Sequence, residues 1–219
     1  MSIHNTEISP DSLGFSLNTF GSNAPIKQIN ETLWLDERIQ DLPQDGQILN
    51  LGAGIYLGVN TLIHTLRPNA HIVNVDPGYA YTQPETMPIV ESDRAYIQAQ
   101  TGVEPIVSGE QHHIAALAEQ LPFADNTYDY IFGHASIPEN MLPSPANEQA
   151  VLRNLSRIAK QGALIDLGPL KVDIGEEWGD TLNQAVNDGL FASAKVLSTE
   201  VYIENYDLRL PALTTVIER

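Results

Sequence analysis

The stretch ILNLGAGIYLGVN, residues 48–60, places three glycines directly after a short apolar run. QILNL predicts a buried strand, and GVNTLIHTLR predicts a helix that ends at Pro68. Gly52, Gly54 and Gly58 therefore mark a turn from strand to helix, where glycine allows a sharp bend and lets a ligand approach the backbone closely. The amino end of the helix adds N–H groups and a positive dipole end, so the turn predicts a binding site.

The second predicted strand, AHIVNVDPG, ends in Asp76, 24 residues after Gly52. A carboxylate at the end of the strand next to a glycine turn can accept both hydroxyls of a ribose. The turn and the carboxylate together predict a site for a nucleoside-type ligand. Two ligands are compatible with this pattern, a nicotinamide dinucleotide and S-adenosylmethionine, because G-x-G-x-x-x-G is a variant of the dinucleotide fingerprint.

Strand and helix patterns alternate along the rest of the chain. Three further strands are predicted, in HHIAAL, YDYIFGHA and ALIDLGPL. Four further helices are predicted, in NAPIKQINETLWLDERIQDL, ESDRAYIQAQTG, SPANEQAVLRNLSRIAKQG and GEEWGDTLNQAVNDGLF. Residues 195–219 predict two strands around a loop, with the alternation typical of antiparallel pairing. The fold class is therefore α/β, a mostly parallel sheet with helices on both faces and a C-terminal antiparallel strand pair.

The chain of 219 residues is long enough for one core. It predicts an irregular N-terminal arm over residues 1–23 and a single domain over 24–219. No apolar run has the length of a membrane-spanning helix, and the N-terminus lacks the basic and apolar regions of a secretory signal. Cysteine is absent, which excludes disulfides, thiolate nucleophiles and cysteine metal sites. We therefore expect a cytoplasmic protein.

The net charge of −17 argues against negatively charged partners. The chain has 11 Lys and Arg residues, which are scattered singly, against 28 Asp and Glu residues. Proteins that bind nucleic acids neutralise phosphates with clustered basic side chains, so we expect neither a nucleic acid nor an anionic membrane as partner. His112 and His113 are adjacent, and a strand would point their rings to opposite faces, so no metal site is expected.

Longer segments resemble one family. AEQLPFADNTYDYIF, residues 118–132, resembles the segment of class I S-adenosylmethionine-dependent methyltransferases that runs from the end of the third strand through the fourth. LSRIAKQGALIDL, residues 155–167, resembles the following helix, turn and fifth strand. ILNLGAG and VNVDPG resemble the family's first two motifs, and the terminal strands resemble its reversed hairpin. The resemblance covers residues 24–219 and implies a Rossmann-like fold with the last strand inserted antiparallel.

The resemblance implies a role for each matching residue. Gly52, Ala53 and Gly54 would pass under the methionine part of S-adenosylmethionine. Asp76 would bind the ribose hydroxyls, and Ala118 would offer its backbone N–H to the adenine ring. This assignment implies methyl transfer to a small-molecule substrate.

One group is a candidate catalytic residue. His134, with Ala135 and Ser136, follows the fourth strand and would face the reacting methyl group. Imidazole can serve as a general base when the acceptor must lose a proton. His134 is therefore the candidate base.

Three positions depart from the family pattern. Asn50 stands where an acidic residue usually orients the cofactor's amino group, and Tyr56 stands where a third glycine is usual. Leu117 stands where an Asp usually accepts from the adenine amine. These departures leave open a non-catalytic relative that keeps the fold, as an alternative to a methyltransferase. A nicotinamide-dependent oxidoreductase is a further alternative, supported by the glycine spacing alone.

Overall fold

A computed structural model describes residues 33–53, 58–80, 91–105, 112–134, 145–170, 175–203 and 208–219, together with Lys27 and Ile29. Its strands are β1 (Gln47–Leu51), β2 (His71–Val75), β3 (His112–Ile114), β4 (Tyr128–His134), β5 (Ala159–Leu170), β6 (Ser193–Ile203) and β7 (Leu208–Glu218). They form one seven-stranded sheet in the order β3-β2-β1-β4-β5-β7-β6. β1 to β5 pair in parallel, and β7 lies antiparallel between β5 and β6. This confirms the predicted mostly parallel sheet with an antiparallel C-terminal pair.

The helices of the described residues cover both faces of this sheet. They are α1 (Leu35–Gln40), α2 (Gly58–Leu66), α3 (Glu91–Thr101), α4 (Pro145–Ile158) and α5 (Gly175–Asn187), with short 3-10 helices at Pro77–Ala80 and Ala118–Gln120. The helices α1 to α3 pack on one face with Ile48, and α4 and α5 pack on the other with Leu49 and Leu51. Because neighbouring residues of β1 point to opposite faces, this short strand contributes to two cores.

Polar contacts join the amino ends of the central strands. The carboxylate of Asp129 accepts a hydrogen bond from the backbone N–H of Gln47 at 2.9 Å. Lys160 Nζ donates to the same carboxylate, at 2.8 Å from each oxygen. These residues lie near the starts of β4, β1 and β5, so structural contacts occupy this end of the sheet.

The N-terminal helix is interrupted at Trp34, whereas the sequence predicts one helix over residues 23–42. Trp34 has left-handed backbone angles, φ 51° and ψ 40°, and α1 begins at the next residue. A continuous helix would separate positions 33 and 35 by about 200° around its axis. The break lets Leu33 and Leu35 both be fully buried in the same core, which is why the prediction of a single helix is wrong.

The helix α4 ends at Ile158 and not at the predicted Gly162. The backbone N–H of Thr127 donates to the carbonyl oxygen of Ile158 at 2.7 Å, and Ala159 is paired with Tyr128. Contacts with β4 and the turn before it therefore draw the next residues into β5. Local helix propensity is overridden here by pairing with a neighbouring strand.

Gly168 on β5 lies against β7, which gives a test of the sheet packing. A Cβ at this position would lie 2.9 Å from Thr214 Oγ1 and 3.2 Å from the carbonyl oxygen of Leu213. We expect Gly168→Ala to lower the free energy of unfolding by about 1–3 kcal/mol, because β7 must shift. Gly179→Ala is the control, since nothing in the described part of the chain lies within 4 Å of its added Cβ, and in α5 it should add about 0.5–1 kcal/mol. Urea denaturation measures both, and unchanged stability of Gly168→Ala would contradict the close approach of β7.

Candidate active site

The order of the strands reverses at β1. From β1 the chain moves outward to β2 and β3 and then returns to β4 on the other side of β1. Open parallel sheets bind ligands at such a reversal, in the crevice outside the carboxyl ends of the strands. The predicted site residues that the structure describes lie near or just after the carboxyl ends of β1 to β4, so the topology brings them to one edge of the sheet.

The glycine turn after β1 is tied to the end of β2. Gly52 has φ 63°, a left-handed conformation that favours glycine. The N–H groups of Gly52 and Ala53 both donate to the carbonyl oxygen of Val75, at 2.8 and 3.2 Å. Asp76 follows Val75 directly and is partly exposed. The turn and the predicted ribose-binding carboxylate are therefore held next to each other.

Asn50 and Asn74 form a buried amide pair at the end of the sheet. Asn50 Nδ2 donates to Asn74 Oδ1 at 3.0 Å, and the residues are 4% and 0% exposed. They meet because the parallel register pairs QILNL of β1 with HIVNV of β2 residue by residue. Asn74 is absent from the predicted site. The signal that indicates it is the shared pattern of the two strands, an asparagine before the last apolar residue.

His113 extends this polar row onto β3. It pairs with Asn74 in register, so the two side chains share a face of the sheet. The ring of Tyr79 packs edge-on against the His113 ring, with centroids 5.2 Å apart. Burial, and to a lesser degree His112, lower the pKa of His113, so its imidazole is neutral at neutral pH. Burial and then the charge of Asp76 raise the pKa of Tyr79, which keeps its phenol protonated.

The loop after β3 lies beside Asp76. The N–H of Asp76 donates to the carbonyl oxygen of Ile114 at 3.2 Å, and its own carbonyl oxygen accepts from the N–H of Tyr79 at 3.2 Å. Leu117 has an extended backbone and is 52% exposed, so its side chain contributes little to the core. Ala118 begins a 3-10 helix and packs against the core on the α4 side of the sheet.

His134 is the last residue of β4 and is buried. It is paired in register with Gly168 of β5, and it shares a face with Phe132 and Tyr130 because alternate residues of a strand point the same way. This is the face that α1 to α3 cover. The remaining residues implicated by the resemblance lie outside the described residues, namely Gly54, Tyr56, Ala135 and Ser136.

A buried carboxylate on β5 links the sheet to α1. Asp166 is fully buried, and its Oδ2 accepts hydrogen bonds from Arg38 Nε and from the Tyr130 hydroxyl, each at 3.0 Å. Burial raises the pKa of Asp166, and the charge of Arg38 opposes that rise. The register places Asp166 on the same face as Asn50 and His134, so this network lies beside the candidate site.

Within the ranges that the structure describes, no three His, Asp or Glu side chains are grouped so that they could hold a metal ion. None of the described helices is long and apolar enough to cross a membrane.

The fold is similar to those of solved methyltransferase structures. A SAM-dependent methyltransferase from Methanosarcina mazei is 12% identical with a TM-score of 0.54, and the match covers 81% of this chain and 94% of that one. The N-methyltransferase NodS from Bradyrhizobium japonicum is 13% identical with a TM-score of 0.52, over 90% and 98% of the two chains. The precorrin-6y C5,15-methyltransferase from Geobacter metallireducens is 15% identical with a TM-score of 0.50, over 85% and 86%.

At these identities the likeness shows the fold, which is that of the class I S-adenosylmethionine-dependent methyltransferases. It confirms the fold that the sequence resemblance implies. The antiparallel β7 also distinguishes this sheet from the 3-2-1-4-5-6 order of the dinucleotide-binding fold. No protein-family model matches the sequence, and no curated protein sequence matches it significantly.

The hydroxyl of Tyr130 tests the buried network. We expect Tyr130→Phe to lower the free energy of unfolding by about 1.5–3 kcal/mol at neutral pH, because a hydrogen bond to a buried carboxylate is lost. Tyr128→Phe is the control: Tyr128 is also buried on β4, but among the described residues no carboxylate accepts from its hydroxyl. Because no hydrogen bond to a charged group is lost, its destabilisation should be smaller than that of Tyr130→Phe.

The pH dependence of that loss has a definite sign. Because the pKa of Asp166 is raised, the native state takes up this proton before the unfolded chain does as the pH falls. The hydroxyl of Tyr130 then faces a neutral carboxyl group, so the loss in Tyr130→Phe should shrink at acidic pH. Denaturant titrations at several pH values measure it, and a loss that grows on acidification would refute the assignment.

Proposed function

We propose that this protein, whose fold is that of the class I S-adenosylmethionine-dependent methyltransferases, binds S-adenosylmethionine and transfers its methyl group to a small molecule. The observation that supports the site is the hydrogen-bonded junction between the glycine turn and the end of β2, which sets Gly52 beside Asp76. A ligand on this junction would meet the backbone at Gly52, which has no side chain, on one side and the carboxylate of Asp76 on the other. This arrangement suits a nucleoside joined to a polar chain.

The polar groups at this edge fit the three parts of the cofactor. The backbone from Gly52 through Ala53 to Gly54 would pass under the methionine part, and Asn50 would present an acceptor to its ammonium group. Asp76 is partly exposed and suits the ribose hydroxyls. The loop after β3 would hold the adenine, through the backbone N–H of Ala118.

S-adenosylmethionine supplies a methyl group that its positively charged sulfur already activates. The protein therefore acts mainly by orienting the acceptor and excluding water. When the acceptor carries a proton, a base must receive it, and His134 is our candidate. His134 ends β4 at the edge where such sheets bind ligands, and a ring nitrogen of its buried imidazole can hold a proton.

We propose a small molecule as acceptor and the cytoplasm as location. The names of the structural neighbours specify nitrogen in one case and carbon positions in another, so the fold does not select the accepting atom. The excess of acidic over basic residues, 28 against 11, disfavours a nucleic acid as acceptor.

Replacement of Asp76 tests the cofactor site. We expect Asp76→Ala to fold with nearly unchanged stability but to lose about 1.5–3 kcal/mol of binding to S-adenosylhomocysteine, because the hydroxyls lose a charged acceptor. Asp45→Ala, which removes an exposed acidic residue before β1, is the control and should bind as the wild type does. Isothermal titration calorimetry with the three proteins measures this difference.

The possible outcomes separate the three functions. Equal binding by wild type and Asp76→Ala would mean that Asp76 is structural and that the ribose assignment fails. A wild type that binds nicotinamide cofactors and not S-adenosylhomocysteine would indicate an oxidoreductase. A wild type that binds neither would indicate a non-catalytic protein with a methyltransferase fold.

Leu117 tests the adenine side of the site. If the loop after β3 holds the adenine, Leu117→Asp restores an acceptor for its amine, and affinity for S-adenosylhomocysteine should rise by up to about tenfold. Leu197→Asp on β6 changes an exposed leucine far along the sheet order and is the matched control. A folded Leu117→Asp variant with unchanged or weaker affinity would show that the adenine lies elsewhere.

A further inference from the structure

We propose that Asn74 and His113 position the side chain of Asn50 so that its amide oxygen, and not its amide nitrogen, receives the ammonium group of the cofactor. This inference rests on the proposed function. Its two positioning residues, Asn74 and His113, are identified by the register of β1, β2 and β3.

The first step is the direction of the amide pair. Asn50 Nδ2 donates to Asn74 Oδ1 at 3.0 Å, and both residues are buried. An amide has one donor end and one acceptor end. Because Asn50 Nδ2 is turned toward Asn74, the planar amide turns its Oδ1 away from Asn74, which leaves an acceptor for a ligand that donates. An ammonium group has three donors and no acceptor, so it requires that end.

His113 is the neighbour that could hold Asn74 in this orientation. Asn74 Nδ2 and His113 Nδ1 are buried, and neither has a hydrogen-bond partner among the described residues. The register sets Asn74 and His113 side by side on one face of the sheet. A neutral imidazole has one acceptor nitrogen, and burial favours the neutral form of His113. The register therefore sets an unbonded amide donor beside an unbonded ring nitrogen, and in the proposed arrangement Asn74 Nδ2 donates to His113 Nδ1.

The imidazole of His113 is supported by a neighbouring aromatic ring. The Tyr79 ring packs edge-on against His113 at an interplanar angle of 89°. This contact comes from the 3-10 helix that follows Asp76, so the same short segment carries the proposed ribose acceptor and steadies the end of the polar row. The side chains of His113, Asn74 and Asn50 then form a polar row from β3 across β2 to β1, in which the donor of Asn50 is directed toward β2.

Position 50 carries an amide where the family usually has a carboxylate, and the two groups differ in how they accept hydrogen bonds. Both oxygens of a carboxylate accept, so a carboxylate presents an acceptor in either orientation. An amide presents an acceptor in one orientation only, and the wrong one would set a donor against the ammonium group. Asn50 therefore needs a positioning partner that an aspartate would not need.

The experiment compares two nucleosides by isothermal titration calorimetry. S-adenosylhomocysteine carries the amino acid group, whereas methylthioadenosine shares its adenosine and sulfur but lacks that group. We expect Asn74→Leu to weaken S-adenosylhomocysteine by about tenfold and to leave methylthioadenosine within about twofold. His113→Leu should likewise lower the affinity for S-adenosylhomocysteine relative to that for methylthioadenosine. His112→Leu is the control, since His112 is exposed and neighbours on a strand face opposite ways.

A second background keeps the test decisive. In Asn50→Asp both oxygens at position 50 accept, so the side chain needs no positioning partner. Adding Asn74→Leu to this variant should therefore leave the ratio of the two affinities unchanged. Three results would overturn this inference alone. In Asn74→Leu, the two affinities could fall equally, or neither could fall. In the Asn50→Asp background, Asn74→Leu could still lower the affinity for S-adenosylhomocysteine relative to that for methylthioadenosine. A wild type that binds neither nucleoside would overturn the proposed cofactor and this inference together.

Discussion

The left-handed turn at Gly52 is the constraint on which the candidate site depends, and it follows from the place of β1 in the sheet. β1 pairs with β2 on one side and β4 on the other, and its side chains enter cores on both faces. After Leu51 the chain leaves the sheet at the carboxyl end of β1, and α2 begins at Gly58. The first two N–H groups of the bend are bonded to Val75, so the shape of this edge is set before any ligand arrives.

The two ends of the sheet carry different kinds of polar contact. At the amino end, Asp129 and Lys160 form an ion pair that joins strands. At the carboxyl end, Asn50 and Asn74 share an amide hydrogen bond on β1 and β2, and the buried carboxylate of Asp166 on β5 is bonded by Arg38 and Tyr130. A buried charge needs a partner of opposite charge, whereas a buried amide needs only hydrogen bonds. On β1 and β2 the amides therefore leave hydrogen-bonding capacity at the edge where a ligand would lie.

The bounds of β1 can be predicted from the sequence because a short apolar run is followed at once by glycine. QILNL alone leaves little choice of where the strand begins and ends. The end of α4 at Ile158 and the break at Trp34 depend instead on distant partners, a backbone donor from Thr127 in one case and the burial of two leucines in the other. Such contacts leave no local signal in the chain.

The candidate site divides in the same way. Gly52 and Asp76 can be found from the sequence because each directly follows a recognisable strand. The partner of Asn50 could not be found that way, since a lateral hydrogen bond requires the register between strands, which a single strand does not encode. Asp166 was likewise hidden, because its donors come from a helix and a strand far away in sequence.

The amide pair has a consequence for behaviour in acid. A carboxylate that faces a cation gains a proton as the pH falls and then loses its attraction, whereas an asparagine has no proton to gain in this range. The amides of Asn50 and Asn74 therefore keep their donors and acceptors in acid, and a change with pH enters the polar row through His113, which accepts in its neutral form. In exchange, this edge of the sheet gives up the stronger contact between opposite charges that a carboxylate at position 50 would make with a cation.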